Sequence, residues 1–238
     1  MIICCSPTKM MKTETRNTLT TPLFDKEAAQ LASLIRAYDA QELATFYKCN
    51  EKIAAQNVER FKGFESAARG NAVLSYQGLQ FKRLNAVAWN EEQWTFAQEH
   101  LRIMSGLYGM LRCQDGIKEY RLDVEDSLRV EKETLENYWC KRIEPLLMKE
   151  CVLDCCSKEY SALLPKHKIS VVFYVRKAGK LKNEATAAKI ARGLLIDYCV
   201  RNFIDDPQEV KLFKEDGFTF DEGLSDEQRM VFVKEGSS

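Results

Sequence analysis

The 238-residue chain lacks a surplus of either charge: 35 Lys and Arg are matched by 35 Asp and Glu. A zero net charge creates no global field for nucleic acid or an anionic membrane surface, so any anion site must be local. Histidine is scarce, with only His100 and His167. No CxxC occurs and no Cys or His pair has the usual ligand spacing, which argues against zinc, so no metal and no cofactor are expected. Long apolar runs are missing as well. MIICC is too short for a signal-peptide core, and no later run reaches the roughly 18 residues of a membrane span. The expectation is a soluble, cytoplasmic protein with no membrane partner. Known catalytic signatures are absent too: there is no Walker loop, no GxSxG, no HExxH and no GxGxxG after a strand.

Cysteine, by contrast, is plentiful, with nine residues. The odd count and the adjacent pairs Cys4–Cys5 and Cys155–Cys156 fit a reduced intracellular protein better than a disulfide scaffold. Most of the nine read as small buried hydrophobes. Cys113 follows Arg112 and is either one more packed thiol or an exposed, electropositive one that reacts ahead of the strand cysteines.

Helical and strand-like stretches alternate. Met1 to Cys5, Cys151 to Cys156 and Ile169 to Val175 read as strands, and Gly217 to Phe220 with Met230 to Val233 as a last short pair. Helices are predicted over Lys26 to Ala37, Gln41 to Arg60, Asn90 to Leu101, Glu133 to Glu150 and Thr186 to Asn202. Asn90 is an N-cap, and Pro145 should kink its helix or start a second piece. Thr13 to Thr21 reads as a loop, and Ala72 to Tyr76 as a strand or buried segment. No repeat or linker is visible. The alternation argues for one mixed α/β domain over residues 1–238, a central mixed sheet flanked by helices.

The most informative stretch is FAQEHLRIMSGLYGMLRCQDGIKEYRL, Phe96 to Leu122. Phe96, Ala97, Leu101, Met104 and Leu107 recur at helical spacing, and Gly106 is placed to end that helix in the left-handed region. Such an end either is a plain C-cap and turn or offers free amides to a phosphate. Ser6-Pro7-Thr8-Lys9 follows the first strand, where α/β folds often carry functional loops. Lys9 there is a phosphate ligand or an exposed loop residue. Charge is segregated despite its zero sum. Lys166 to Arg192 is basic, whereas the segment after Asn202 is acidic. This pattern is either ordinary solvated surface or a basic cleft with the acidic segment facing away.

Along nearly its whole length the chain resembles the bacterial YaaA family of peroxide-stress proteins. The resemblance rests on Ser6-Pro7 with Lys9; on Lys52 to Ala54 with Asn57, Arg60 and Phe61; and on Gly78. It continues through His100-Leu101-Arg102, Ser105-Gly106-Leu107-Tyr108-Gly109, Leu111-Arg112, Asp115 and Tyr120-Arg121-Leu122. It ends with Ser157, Glu159-Tyr160, Ala191-Arg192-Gly193, Gly217-Phe218 and Phe220-Asp221.

The resemblance implies a single-domain α/β fold, a role in limiting peroxide and iron damage, and a positive cleft. It also implies a helix-hairpin-helix-like element at Ser105–Gly109 that binds double-stranded DNA without reading its sequence. Phosphate contacts are then expected from Lys9, Arg102, Ser105, Gly106, Tyr108, Gly109, Arg112, Arg121, Lys189 and Arg192. Ser6, Tyr76, Asp115, Tyr120, Ser157 and Tyr160 are candidate polar residues of the cleft. That many polar groups also suits an enzyme acting on a nucleotide or nucleic acid, which stays open as the alternative. The chain departs from the family pattern in four places. Leu79 stands where an acid is usual, Arg83 where a second glycine is usual, Asp154 replaces an Asn and Cys113 a proline. Retention of the basic positions with loss of the acidic one favours binding over catalysis.

Overall fold

A strand covered on both faces has to be apolar throughout. Ile2–Cys5 (β1) meets that condition, with all four side chains buried. The computed structural model, which describes residues 1–236, places β1 near the middle of a mixed sheet. Helices Asp25–Arg36 (α1), Ala40–Phe46 (α2) and Glu51–Lys62 (α3) follow it. Then come the short pieces Gly70–Asn71 (β2), Ala72–Ser75 (α4) and Leu79–Leu84 (α5), and helix Glu91–His100 (α6). Leu101–Ser105 (β3), Gly109–Leu111 (β4), Gly116–Ile117 (β5), Arg129–Val130 (β6) and Glu133–Thr134 (β7) lead to helix Leu135–Leu147 (α7). Val152–Cys155 (β8), Lys158–Ser161 (α8), Ile169–Lys177 (β9), Lys180–Lys182 (β10) and the long helix Ala185–Arg201 (α9) come next. Pro207–Val210 (α10), Phe218–Phe220 (β11) and Arg229–Glu235 (β12) complete the order.

The sheet order is β11-β12-β9-β8-β1-β3-β4. The five inner strands run parallel, and the edge strands β11 and β4 are antiparallel to their neighbours. β9 shares one side between two partners: β8 pairs with Ile169 and Ser170, and β10 with Val175 to Lys177. The register Cys5↔Cys155 brings the carboxyl ends of β1 and β8 side by side. One continuous core joins the sheet to its helices, as the expected central mixed sheet with flanking helices requires. None of the described helices is long and apolar enough to cross a membrane.

The helices follow local signals. α1 buries Ala28, Leu31, Ala32 and Ile35, a spacing that keeps one face inward. Asn90 caps α6 in a reciprocal box with Gln93. The single helix predicted over Gln41 to Arg60 is in fact two. Lys48 adopts φ 47° and Asn50 starts α3 by accepting from the Ile53 amide. A side-chain cap competes with helix propagation there. Pro145 neither divides nor ends α7. Ala72 to Tyr76 is the buried segment of the two alternatives: Ala72–Ser75 is a short helix, and Tyr76 follows it in extended conformation, bridged to Met11.

The largest correction concerns Ser105–Gly109. The predicted helix through Leu107 stops at His100. Leu101–Ser105 is a strand paired with both β1 and β4, so the segment is a β-hairpin and not a helix-hairpin-helix-like element. Leu101, Ile103 and Met104 fit a buried strand as well as a helical stripe, and a place beside β1 decides between them. The turn is closed internally: the Tyr108 amide donates to Ser105 Oγ at 2.8 Å, and Trp139 Nε1 donates to the Gly106 carbonyl at 2.8 Å. Gly106 is not left-handed. It is glycine because a Cβ there would collide with the Leu122 carbonyl, whereas Gly109 does take φ +68°, against Trp139.

Overpacking a site bounded by backbone costs about 1–3 kcal/mol. Gly106→Ala should therefore lower the unfolding free energy by about that much in a urea titration. Gly223→Ala, where a Cβ meets only the side chain of Asp221 at 3.6 Å, should be close to neutral. Equal stability of the two variants would show that the hairpin does not press on Leu122.

Candidate functional site

Parallel sheets leave their ligand crevice outside the carboxyl ends of the strands, where the chain leaves neighbouring strands in opposite directions. Here that point lies beyond β1 and β8, and a cavity of about 480 Å³ opens there. The loop after β1, with Ser6 and Lys9, forms one side. Ser157, Glu159 and Tyr160, after β8, form the next. Tyr120, Arg121 and Asp123 stand opposite, and α9 contributes Lys189 and Arg192. α5 completes the wall through Leu79, Gln80 and Phe81.

The sequence candidates thus divide. Ser6, Lys9, Tyr120, Arg121, Ser157, Tyr160, Lys189 and Arg192 come together in this cleft. Arg102, Arg112 and Asp115 do not. They line a separate cavity of about 180 Å³ with Ile2 and Glu150, beside the amino-terminal ends of β1 and β8. There Asp115 is a structural acceptor, taking the Thr20 hydroxyl at 2.7 Å and the Arg112 amide at 2.8 Å. Burial raises its pKa. Arg102 donates to the carbonyls of Gln98 and Leu101, and burial lowers its pKa. Ser105, Gly106, Tyr108 and Gly109 are buried in the hairpin and line neither cavity. Burial pushes the Tyr108 phenol up to about 12.

At the floor, hydroxyl hydrogens have one consistent direction. Glu159 can only accept when ionised, so Ser157 Oγ donates to it at 2.7 Å. Ser6 Oγ then donates to Ser157 Oγ at 2.8 Å, and itself accepts the Ser157 amide at 2.8 Å. A proton path runs from Ser6 through Ser157 to Glu159. Asp154, at the end of β8, steadies this loop by accepting from the Cys156 amide and the Ser161 hydroxyl. A second hydroxyl chain runs inward, Tyr120 to Tyr76 at 2.7 Å and Tyr120 to Ser105 at 2.6 Å. Tyr76 therefore stands behind the cleft wall and not in it. Burial raises the pKa of Tyr76, Tyr120 and Tyr160, so all three are neutral phenols at physiological pH.

The electrostatics are locally positive. Lys9 pairs with Asp123 at 3.2 Å. Arg121 lies over the Tyr47 ring at 5.4 Å, and its carbonyl accepts the Tyr47 hydroxyl. Arg121, Lys189 and Arg192 have no ion-pair partner among the described residues. The rest of the basic stretch does not extend this patch. Arg176 bridges Glu235 at 3.0 Å and Asp221 at 3.7 Å, and Lys177 pairs with Glu184 at 2.6 Å. The acidic segment therefore folds back onto the basic one instead of facing away.

Sequence reasoning missed Gln80, Asp123 and Glu159, all in the cleft lining. Glu159 carried a signal, lying two residues after Ser157 at a helix start, but Gln80 carried none. Its place depends on Gly193 of α9, where a Cβ would collide with the Gln80 carbonyl, so only glycine lets α5 lie this close. Cys113 is not the exposed thiol. It is fully buried, donates to the Ala97 carbonyl, and burial raises its pKa.

A family profile described as peroxide stress protein YaaA matches residues 1–224. The chain is similar to a UPF0246 protein of Clostridioides difficile, 37% identical over 247 residues, covering 99% of this chain and 100% of that protein. A Finegoldia magna UPF0246 protein is 35% identical over 220 residues, covering 89% and 88%. One from Bacteroides thetaiotaomicron is 34% identical over 250 residues, covering 98% and 97%.

Two measurements check this site. Asp126 accepts the Asp123 amide at 2.7 Å, and burial, with Asp123 nearby, raises its pKa from 3.8 to about 6. A carboxyl whose folded pKa is raised stabilises the fold in its protonated form. That contribution is full below about pH 4 and is lost as pH rises through about 6. Asp126→Asn should therefore match the parent near pH 4 and exceed it near pH 7.5, by on the order of 2 kcal/mol. A constant difference across that range would contradict the burial argument. Brief maleimide labelling of the native protein should mark the exposed Cys151 before Cys4, Cys5, Cys113, Cys155, Cys156 or Cys199, all buried. Peptide mass mapping that finds Cys113 first would reverse the assignment.

Proposed function

The chain belongs to the peroxide stress protein YaaA family, and we propose that it serves the cytoplasmic peroxide response by binding double-stranded DNA over the mouth of this cleft, limiting peroxide and iron damage to it. One observation carries the reading: Lys9, Arg121, Lys189 and Arg192 converge on a single cleft in a chain of zero net charge, three of them without an ion-pair partner among the described residues. Cations gathered in this way grip backbone phosphates and release counterions, which gives affinity without base readout. The buried hairpin has no part in this grip, and neither do Arg102 and Arg112.

A second reading is an enzyme acting on a nucleotide or nucleic acid in the same cleft. The directional Ser6–Ser157–Glu159 chain favours it, because a phosphate clamp needs no proton path ending at a carboxylate.

The number of phosphate contacts limits the salt dependence. Four contacts give a slope of log affinity against log salt no steeper than about −4. Lys189→Ala with Arg192→Ala should flatten that slope by about 2 in fluorescence anisotropy with a short duplex. Arg112→Ala should leave it unchanged. A flat slope for the parent protein, or one insensitive to the double variant, would sink the DNA reading.

A further inference from the structure

The cleft lining holds two buried hydrogen-bond donors without an oxygen acceptor. Gln80 is only 9% exposed, and its Nε2 has no hydrogen-bond partner beyond the neighbouring thiol of Cys5, a weak acceptor. Arg192 Nε is also buried and unpartnered. Both residues line the cavity. Buried donors left in this state cost free energy that an oxygen ligand would return. The two are adjacent because Gly193 seats the α5 backbone directly on α9. Lys189, one helical turn before Arg192, adds a cation above them, again without an ion-pair partner among the described residues.

We propose that this part of the lining is a subsite for the terminal phosphate of a phosphomonoester, not for an internal phosphodiester. The inference rests on reading the cleft as phosphate-binding and names which phosphate reaches these donors. A monoester dianion presents three terminal oxygens, one for each of Gln80, Arg192 and Lys189. An internal diester presents two and carries a chain on both sides. The contact at Gly193 leaves no gap between α5 and α9 through which such a chain could continue. The organic part of the ligand lies toward the mouth, where Met10 and Leu79 are 69% and 43% exposed and form an apolar lip. The cavity volume falls within the usual range for small-molecule pockets, about 300–1,000 Å³.

The phosphomonoester has two sources, a free nucleoside monophosphate or the phosphorylated end of a DNA strand, and titration calorimetry separates them. Deoxyadenosine 5′-monophosphate is compared with deoxyadenosine, and a short duplex bearing 5′-phosphates with the same duplex lacking them. In each source that binds here, the phosphorylated form should bind at least tenfold tighter. Arg192→Met and Gln80→Met should each remove most of that advantage, and Lys189→Met, on an exposed position of α9, should reduce it several-fold. Melting temperatures of the variants identify any that fail to fold, and Lys189→Met remains informative because its side chain packs in no core. Preference for the mononucleotide alone assigns the free ligand, and preference for the phosphorylated duplex alone assigns the strand end. If neither phosphorylated form is preferred, or if all three variants retain the preference, the subsite is overturned. Binding of the unphosphorylated duplex reports separately on the DNA reading, so either proposal can fail without the other.

Discussion

The parallel pairing of β1 with β8 organises the rest of the molecule. β1 is buried on both faces between β3 and β8, so it tolerates no charge and no slip in register. The match of Cys5 with Cys155 sets Ser6 beside the Ser157 loop, and the two serines meet because the strands end together. The same burial makes the strand cysteines inert. Cys4, Cys5, Cys155 and Cys156 all have thiol pKa values raised by loss of water. The residue type that stands out in the composition is thus used for its small apolar volume, and the chemistry of the site lies in hydroxyls, amides and cations.

The cleft is polar in layers. At its mouth Lys9 and Asp123 form a pair in which the lysine side chain is 60% exposed, the kind of pair that contributes little to stability. Deeper, neutral tyrosines and serines link the wall to the hairpin, so the buried turn at Gly106 supports the cleft from behind. A hairpin that looked like a ligand loop is instead part of the frame that orients Tyr120. The cations facing the cavity come from the loop after β1, from the Tyr120–Asp123 segment and from α9, elements far apart in the chain.

Leu79 gives the departure from the family pattern a physical meaning. It stands on the cavity wall where the resemblance implies an acid. A leucine there removes a negative charge from the neighbourhood of Lys189 and Arg192 and adds apolar surface at the mouth. Both changes favour an anion with an organic part over a cation or a water-filled catalytic carboxylate. Arg83, the other departure at this end of the chain, packs its Cβ against the Gly193 position, on the face of α5 that meets α9.

Local rules were enough for much of the fold. The buried strands β1 and β8, the alternating strand β9, the capped start of α6, the position of the long helix α9 and the mixed α/β class were all legible, because apolar period and capping residues act over a few positions. So was the gathering of Ser6, Lys9, Arg121 and Ser157 through the family motif. The amphipathic face read for α9 was not found, since the helix buries residues on more than one side. The sequence could not tell a helix from a strand over Leu101–Ser105, since Leu101, Ile103 and Met104 fit a helical stripe and a buried strand alike and only pairing with β1 decides. It could not separate Arg102, Arg112 and Asp115 from the cleft, because neighbours in sequence on a strand and its following turn are carried to the other end of the sheet. Nor could it mark Gln80, whose burial and missing partner arise from a helix contact made possible more than a hundred residues later at Gly193. Most strands and helices, β3 excepted, were therefore a matter of local sequence, whereas which polar groups share one cleft, and which are left without an acceptor, was decided only when distant backbones packed together.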